Sequence, residues 1–257
     1  MNVALSANPF TVRLHFHGDL SFFLRSSEAK QPCVEKRLTE KTSVKDAIES
    51  CGVPHTEVDL IVANGVPVTF AHHLVRDEEI DIYPVSAPPE LFSEDRLQQR
   101  GLERFVADGH LGKLARHLRL LGIDVLYDNR ATDSQLVLSA TTDDRALITR
   151  DRRLLMHAVV HHGYCPRSDN PDEQILEVIR RFGLADILAP FTRCALCNGH
   201  LQRVEKAEVF EQLEPLTRLY YHEFRRCTDC RRIYWPGSHF GKLEARLAWI
   251  RNSLCVS

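Results

Sequence analysis

Two sets of residues in this chain have the types and spacing to do chemistry. The first is four cysteines in two pairs, Cys194-x-x-Cys197 and Cys227-x-x-Cys230, with 29 residues between the pairs. A CxxC turn aims two thiols at one point, and two such turns supply the four soft ligands of a tetrahedral zinc. A site closed by four cysteines has no open position, so this zinc is structural. Iron–sulfur clusters and dithiol redox chemistry use the same turns, but two pairs at this separation favour zinc. The second set is acidic. Asp108, Asp133, Asp151 and Asp169 each stand where an apolar run gives way to a turn or a helical pattern. Gathered carboxylates repel one another, and a divalent cation offsets that repulsion. Oxygen ligands suit Mg²⁺ or Mn²⁺, and such ions activate water and stabilise the leaving oxygen of a phosphodiester. Each acid also has a simpler use, because aspartate caps helix N-termini. Asp133 and Asp151 are both placed for that.

The elements that must position the acids lie in residues 101–190, where strand and helix alternate. A short strand, Arg104–Ala107, delivers Asp108. The helix Leu111–Leu121 follows, with Leu111, Leu114, Ala115, Leu118 and Leu121 on its apolar face. Lys113, Arg116 and Arg119 recur at every third residue as a basic stripe, suited to RNA phosphates together with Arg150. Next come strand Ile123–Tyr127, helix Asp133–Thr142, strand Ala146–Thr149, a short helix Arg152–His157 and a strand within Ala158–Tyr164. The series ends in helix Asn170–Phe182, capped by Asn170 with Pro171 at its first position. This alternation predicts an α/β fold, a parallel sheet with flanking helices. Sites in such sheets form beyond the carboxyl ends of the strands, which is where Asp108, Asp151 and Asp169 fall.

The rest of the chain divides around that region. Residues 1–86 carry the order ββαβββ of a β-grasp domain. Thr11–Phe16 alternates apolar and polar residues, with Phe22–Leu24 as its hairpin partner. Ser43–Cys51 is a capped helix, and Asn64-Gly65 turns Leu60–Ala63 into Val66–Thr69. Residues 87–100, stiffened by Pro88-Pro89, form a linker, and residues 191–257 form the zinc ribbon. Charge is uneven although the net is only −2. Residues 1–90 carry 8 Lys and Arg against 13 Asp and Glu, and residues 191–257 carry 11 against 7. The acidic front is therefore no nucleic-acid surface, and the basic tail has the sign for one. No apolar run reaches the roughly 20 residues of a membrane span. MNVALSANPF lacks the pattern of a secretory signal. With isolated Cys33, Cys51, Cys165 and Cys255 alongside the CxxC pairs, the expectation is a reducing, cytoplasmic compartment.

Two resemblances add to this reading. IVANGVPVTF and DEEIDIYPV resemble the ubiquitin-like sulfur carriers of thiamine and molybdopterin synthesis. Those carriers need an exposed C-terminal Gly-Gly, whereas this segment runs into SAPPELFSED. The resemblance is thus to the fold, and implies a docking or regulatory module with a protein partner. The stretches FVADGHLGKLARHLRLLGIDVLYD, RALITRDRRLL, EQILEVI, RCALCNGHL and CTDCRRIYWPGSH resemble, in order, the Mut-seven C-terminal RNase domain family, a PIN-like nuclease group. That resemblance implies a PIN-like fold with a C-terminal zinc ribbon and metal-dependent cleavage of RNA. Asp108 then matches the first-strand acid, Asp133 the acid opening a later helix, and Asp151 the acid of a T-x-D motif. A glutamate common in PIN enzymes has no counterpart between Glu103 and Glu173, where Asp124, Asp128 or Asp169 would have to replace it. Two other functions fit the same features. One is a non-catalytic RNA-binding or ribosome-associated adaptor. The other is a docking partner of sulfur-transfer or tRNA-modification machinery.

Overall fold

A computed structural model describes residues 9–24, 33–88 and 90–255. The readings of the extreme N-terminus and of Pro89 fall outside them. The chain divides into two compact units that interleave along the sequence. One comprises residues up to Arg100 with Asp133–Arg167, and the other Gly101–Thr132 with residues from Ser168 onward.

The first unit contains the β-grasp domain. Its five-stranded sheet runs in the order Cys33–Leu38, Phe10–Phe16, Glu78–Pro84, Val58–Ala63, Val66–Val68. The two central strands are parallel, with Leu14 opposite Ile80, and the remaining pairs are antiparallel. Alternation buries Val12, Leu14, Phe16, Ile80 and Ile82 on one face. Ser43 caps the helix Val44–Glu49, its hydroxyl accepting from the Asp46 amide at 3.0 Å. Asn64 and Gly65 both have positive φ, 49° and 83°, as a two-residue hairpin turn requires. The hairpin expectation for Phe22–Leu24 is corrected. Gly18–Phe23 is a 3₁₀ turn, and the strand beside Phe10–Phe16 is Cys33–Leu38. That edge strand alternates half-buried and exposed positions, so it carries no hydrophobic signature.

The expected linker lies along this domain for part of its length. Buried Asp59 accepts from the Gln98 amide at 2.9 Å and pairs with Arg96 at 3.0 Å. The Gln98 side chain donates to the Val58 carbonyl at 2.9 Å.

Residues 133–167 belong to the same compact unit. Helix Asp133–Thr142 leads to strand Ala146–Ile148, which runs parallel to Gly163–Tyr164. This segment and the β-grasp domain share buried polar contacts. Both carboxylate oxygens of Glu57, 3 % exposed, accept from Arg167 at 2.9–3.0 Å, and one also accepts from the Cys165 amide at 2.7 Å. Arg152 and Arg167 stack over Phe22 and Phe23 at 4.6–5.4 Å, and Arg152 donates to the Phe23 carbonyl at 2.7 Å. Buried His55 bridges Glu49 at 2.7 Å and the Val160 carbonyl at 2.8 Å. Burial pushes the Cys165 thiol up to about 11, so it stays protonated and behaves as a core residue.

The second unit starts with strand Arg104–Ala107, parallel to Asp124–Tyr127 in continuous register from Arg104/Asp124 to Ala107/Tyr127. Helix Gly112–Leu120 connects them, and Gly122, at φ 91°, ends the connection. A Cβ at Gly122 would collide with the Ala189 carbonyl, so only glycine fits. Phe105 packs edge-on against Phe182 of helix Pro171–Phe182 at 4.9 Å. Asn170 caps that helix and Gly183 closes it in the left-handed conformation. The helix Ser238–Cys255 is tied back to it, Arg246 to Asp172 at 2.8 Å and Arg180 to the Ser253 carbonyl at 2.6 Å. Between them, Leu201–Val204, Phe224–Cys227 and Ile233–Tyr234 form an antiparallel three-stranded sheet. The fold is thus mixed α/β, with parallel strands flanked by helices, an N-terminal β-grasp sheet and a C-terminal cluster of four cysteines. Among the described residues, no helix is long and apolar enough to cross a membrane.

Candidate zinc and nuclease sites

The two CxxC pairs sit on tight turns at the ends of the ribbon strands. The first turn is closed by Asn198 N–H to the Cys194 carbonyl at 3.0 Å, with Asn198 left-handed at φ 73°. The second turns at Arg231, φ 62°. The four Sγ atoms lie within 4.8 Å of one another. Cys194 approaches Cys230 at 3.6 Å and Cys197 approaches Cys227 at 3.4 Å. Zn–S bonds of about 2.3 Å in a tetrahedron imply Sγ edges of about 3.8 Å, so the donors fit zinc in type and spacing. The Tyr234 hydroxyl lies 3.0 Å from Cys194 Sγ. Burial and the Cys194 contact both push that phenol above its usual range, so it remains a donor to a thiolate.

The first knuckle is fastened to the parallel strands. Asn198 accepts from the Val125 amide at 3.1 Å and donates to Asp124 at 2.7 Å, while Arg193 pairs with Asp124 at 3.2 Å. Asp124 therefore stands at the opening of its strand, with its carboxylate engaged by the ribbon. The expectation for Arg119 is corrected. It is 3 % exposed, and its guanidinium donates to the carbonyls of Val125 at 2.8 Å and Leu196 at 2.7 Å. It joins helix to knuckle and does not face RNA. Burial lowers its pKa, partly offset by the nearby Cys197 and Cys194. We expect Arg119→Ala to destabilise this unit by about 3 kcal/mol, since the buried Val125 carbonyl and the part-buried Leu196 carbonyl both lose a charged donor. Lysine should not restore it, because a point charge cannot reach both acceptors. Thermal unfolding of zinc-loaded variants checks this, and a melting temperature equal to the parent's would refute it.

Asp108 follows strand Arg104–Ala107 and precedes a 3₁₀ turn, Gly109–Leu111, as its extended flanking residue. That turn is held by Tyr127, whose hydroxyl donates to the Gly109 carbonyl at 2.9 Å, and a Cβ on Gly112 would stand 2.5 Å from the same hydroxyl. Asp133 opens helix Asp133–Thr142. Asp151 follows strand Ala146–Ile148 and caps helix Arg152–Leu155, accepting from the Arg153 amide at 2.8 Å. Asp169 precedes the capped helix Pro171–Phe182. Asp108 and Asp169 belong to one compact unit, and Asp133 and Asp151 to the other. Lys113, Arg116 and Arg150 are exposed. Asp128 accepts from the Arg130 amide at 2.9 Å, a turn role.

Residues 103–247 match the Mut7-C RNAse domain, and residues 10–90 match the Mut7-C ubiquitin domain. The chain belongs to the Mut7-C RNAse family. No curated protein and no solved structure matches it. The Mut7-C match points to nuclease function and RNA as ligand, beside a ubiquitin-like domain suited to protein interaction. It spans both CxxC pairs, so the ribbon is part of the Mut7-C domain and not an appendage. Asn198 and Tyr234 are supports that residue spacing did not single out, and Arg119 is one that spacing places on the basic stripe instead. The one available signal was Asn198-Gly199 directly after Cys197, the left-handed step of a knuckle.

Proposed function

We propose that the protein is a cytoplasmic, metal-dependent ribonuclease, with Asp108, Asp133 and Asp151 holding Mg²⁺ or Mn²⁺ and Asp169 supporting them. The observation that carries this reading is the Mut7-C RNAse match over residues 103–247, which includes all four acids. The donor set is made of hard carboxylate oxygens, which suit these ions. A bound ion would lower the pKa of a coordinated water for attack on phosphorus. The chain's own residues do the rest. Exposed Lys113, Arg116 and Arg150 hold the phosphates, and Asp108 is delivered by a strand whose following turn is clamped by Tyr127. Products carry a 5′-phosphate and a 3′-hydroxyl.

The test is cleavage of end-labelled single-stranded RNA with Mn²⁺, Mg²⁺ or chelator. Asp108→Asn and Asp151→Asn serve as controls of matched zinc content. Asparagine caps a helix as well as aspartate does, so Asp151→Asn removes charge without removing the cap. Loss of a metal ligand is expected to lower cleavage by about 10²–10³-fold. Cleavage that persists in chelator, or in both variants, would sink the proposal. RNA bound equally by all three proteins without cleavage would favour an adaptor.

A further inference from the structure

The ribbon sheet carries a cavity of about 220 Å³, lined among others by Phe191, Arg203, Glu223, Arg225, Tyr234 and Trp235 and by none of the four cysteines. Its floor is a single row across the sheet. Arg203 stands opposite Arg225, and Arg225 stands opposite Tyr234. Two guanidinium groups directly opposite each other on neighbouring strands repel. Among the described residues the only carboxylate lining the cavity is Glu223, 4.0 Å from Arg203 with both side chains largely exposed, where a pair contributes little. The row is therefore short of negative charge. Its walls are aromatic: Trp235 packs on the buried Val209, Leu213 and Phe224 cluster and also lines the cavity. At the rim, Phe191 is held at φ 58°, a conformation a bulky residue avoids, and its carbonyl accepts from Arg225 at 2.7 Å. Strained backbone of this kind recurs at ligand clamps.

Excess positive charge beside an aromatic wall recognises a ligand that is anionic at one end and a flat ring at the other. We propose that this cavity binds one unpaired nucleobase of single-stranded RNA against Trp235, with the adjoining phosphate between Arg203 and Arg225 and Glu223 accepting from an exocyclic amino group. The polymer is taken from the ribonuclease reading above; the ligand class comes from the cavity.

The chain has two tryptophans, Trp235 and Trp249, so their indole N–H resonances report separately in the full, zinc-loaded protein. Oligoadenylate, without added divalent metal, should move the Trp235 signal and leave Trp249 in place, and an abasic phosphodiester chain of equal length should move neither. Arg203→Glu should weaken oligoadenylate binding about tenfold, and Trp235→Leu roughly ten- to hundredfold. Arg203 is exposed, so its variant keeps the test valid if Trp235→Leu misfolds. A Trp235 signal unmoved at any RNA concentration, or moved equally by the abasic chain, overturns the proposal. Cleavage of the same RNA with Mn²⁺ separates the two readings. Cleavage without a Trp235 response rejects the cavity alone, and a Trp235 response without cleavage rejects the nuclease alone.

Discussion

Removing zinc is expected to unfold residues 191–237 and to loosen the strand Asp124–Tyr127 with them. The ribbon's own apolar clusters are small: Leu201 with two cysteines in one, and Val209, Leu213 and Phe224 in the other. Structural zinc contributes on the order of 10–16 kcal/mol of folding free energy in small zinc peptides, far above what such clusters supply. Without the ion, four thiols brought within 4.8 Å have no common partner. The loss should travel, because Asn198 holds the Val125 amide and Arg119 reaches the Leu196 carbonyl. Cys197→Ser, or a strong chelator, should abolish bound zinc and raise amide exchange across the ribbon and at Val125. Helix Pro171–Phe182 should be affected less. Zinc at less than one per chain in the parent, or an unchanged exchange pattern after its removal, would reject this.

The second large effect is at Glu57. Glu57→Ala should destabilise the first unit by about 3–5 kcal/mol, because it takes the bidentate, buried carboxylate partner from the mostly covered Arg167 guanidinium. For a unit of this size that corresponds to a fall of roughly 10–18 °C in melting temperature. Burial alone would lower the Arg167 pKa, but Glu57 overrides it and holds the guanidinium above its usual value. Without Glu57 the guanidinium still cannot escape by losing its proton, because arginine's intrinsic pKa lies far above neutrality. Asp19, which also pairs with Arg167 at 2.9 Å, is about half exposed and cannot replace a bidentate buried carboxylate. Replacing both Glu57 and Arg167 by apolar residues of similar volume should cost much less than Glu57→Ala, which thermal melts of the single and double variants would check. Equal losses in the two would show that the charge left unpaired is not the cause.

What could be read from the sequence was what is local. The CxxC turns, the Asn64-Gly65 hairpin, the Ser43 and Asn170 caps and the helix at 112–120 are each written within a few residues. What could not be read depends on distant partners. Glu57 and Arg167 stand 110 residues apart, and no pattern in either neighbourhood predicts the other. Arg119 was assigned to a basic stripe because it follows Lys113 and Arg116 at intervals of three. At 3.6 residues per turn each such step lags by about 60°, so Arg119 stands about 120° round from Lys113. That rotation carries it to the buried side, against the ribbon. The positions of the four acids at strand ends and helix starts were legible, since apolar runs fix where strands stop. The cavity on the ribbon was not, because its row of Arg203, Arg225 and Tyr234 exists only once three strands are in register.

The interleaving of the two units has a consequence for synthesis. The β-grasp residues are complete once Arg100 has been made, yet Glu57, Phe22 and Phe23 then lack the partners that Arg152, Cys165 and Arg167 supply. At about 5–20 residues per second, those partners follow roughly 3–13 s later. Throughout that interval Glu57 in the nascent first domain lacks its guanidinium partner, and Phe23 lacks the arginines that stack on it. Translation speed between codons 100 and 167 thereby sets how long the emerging chain is exposed to chaperones or to aggregation.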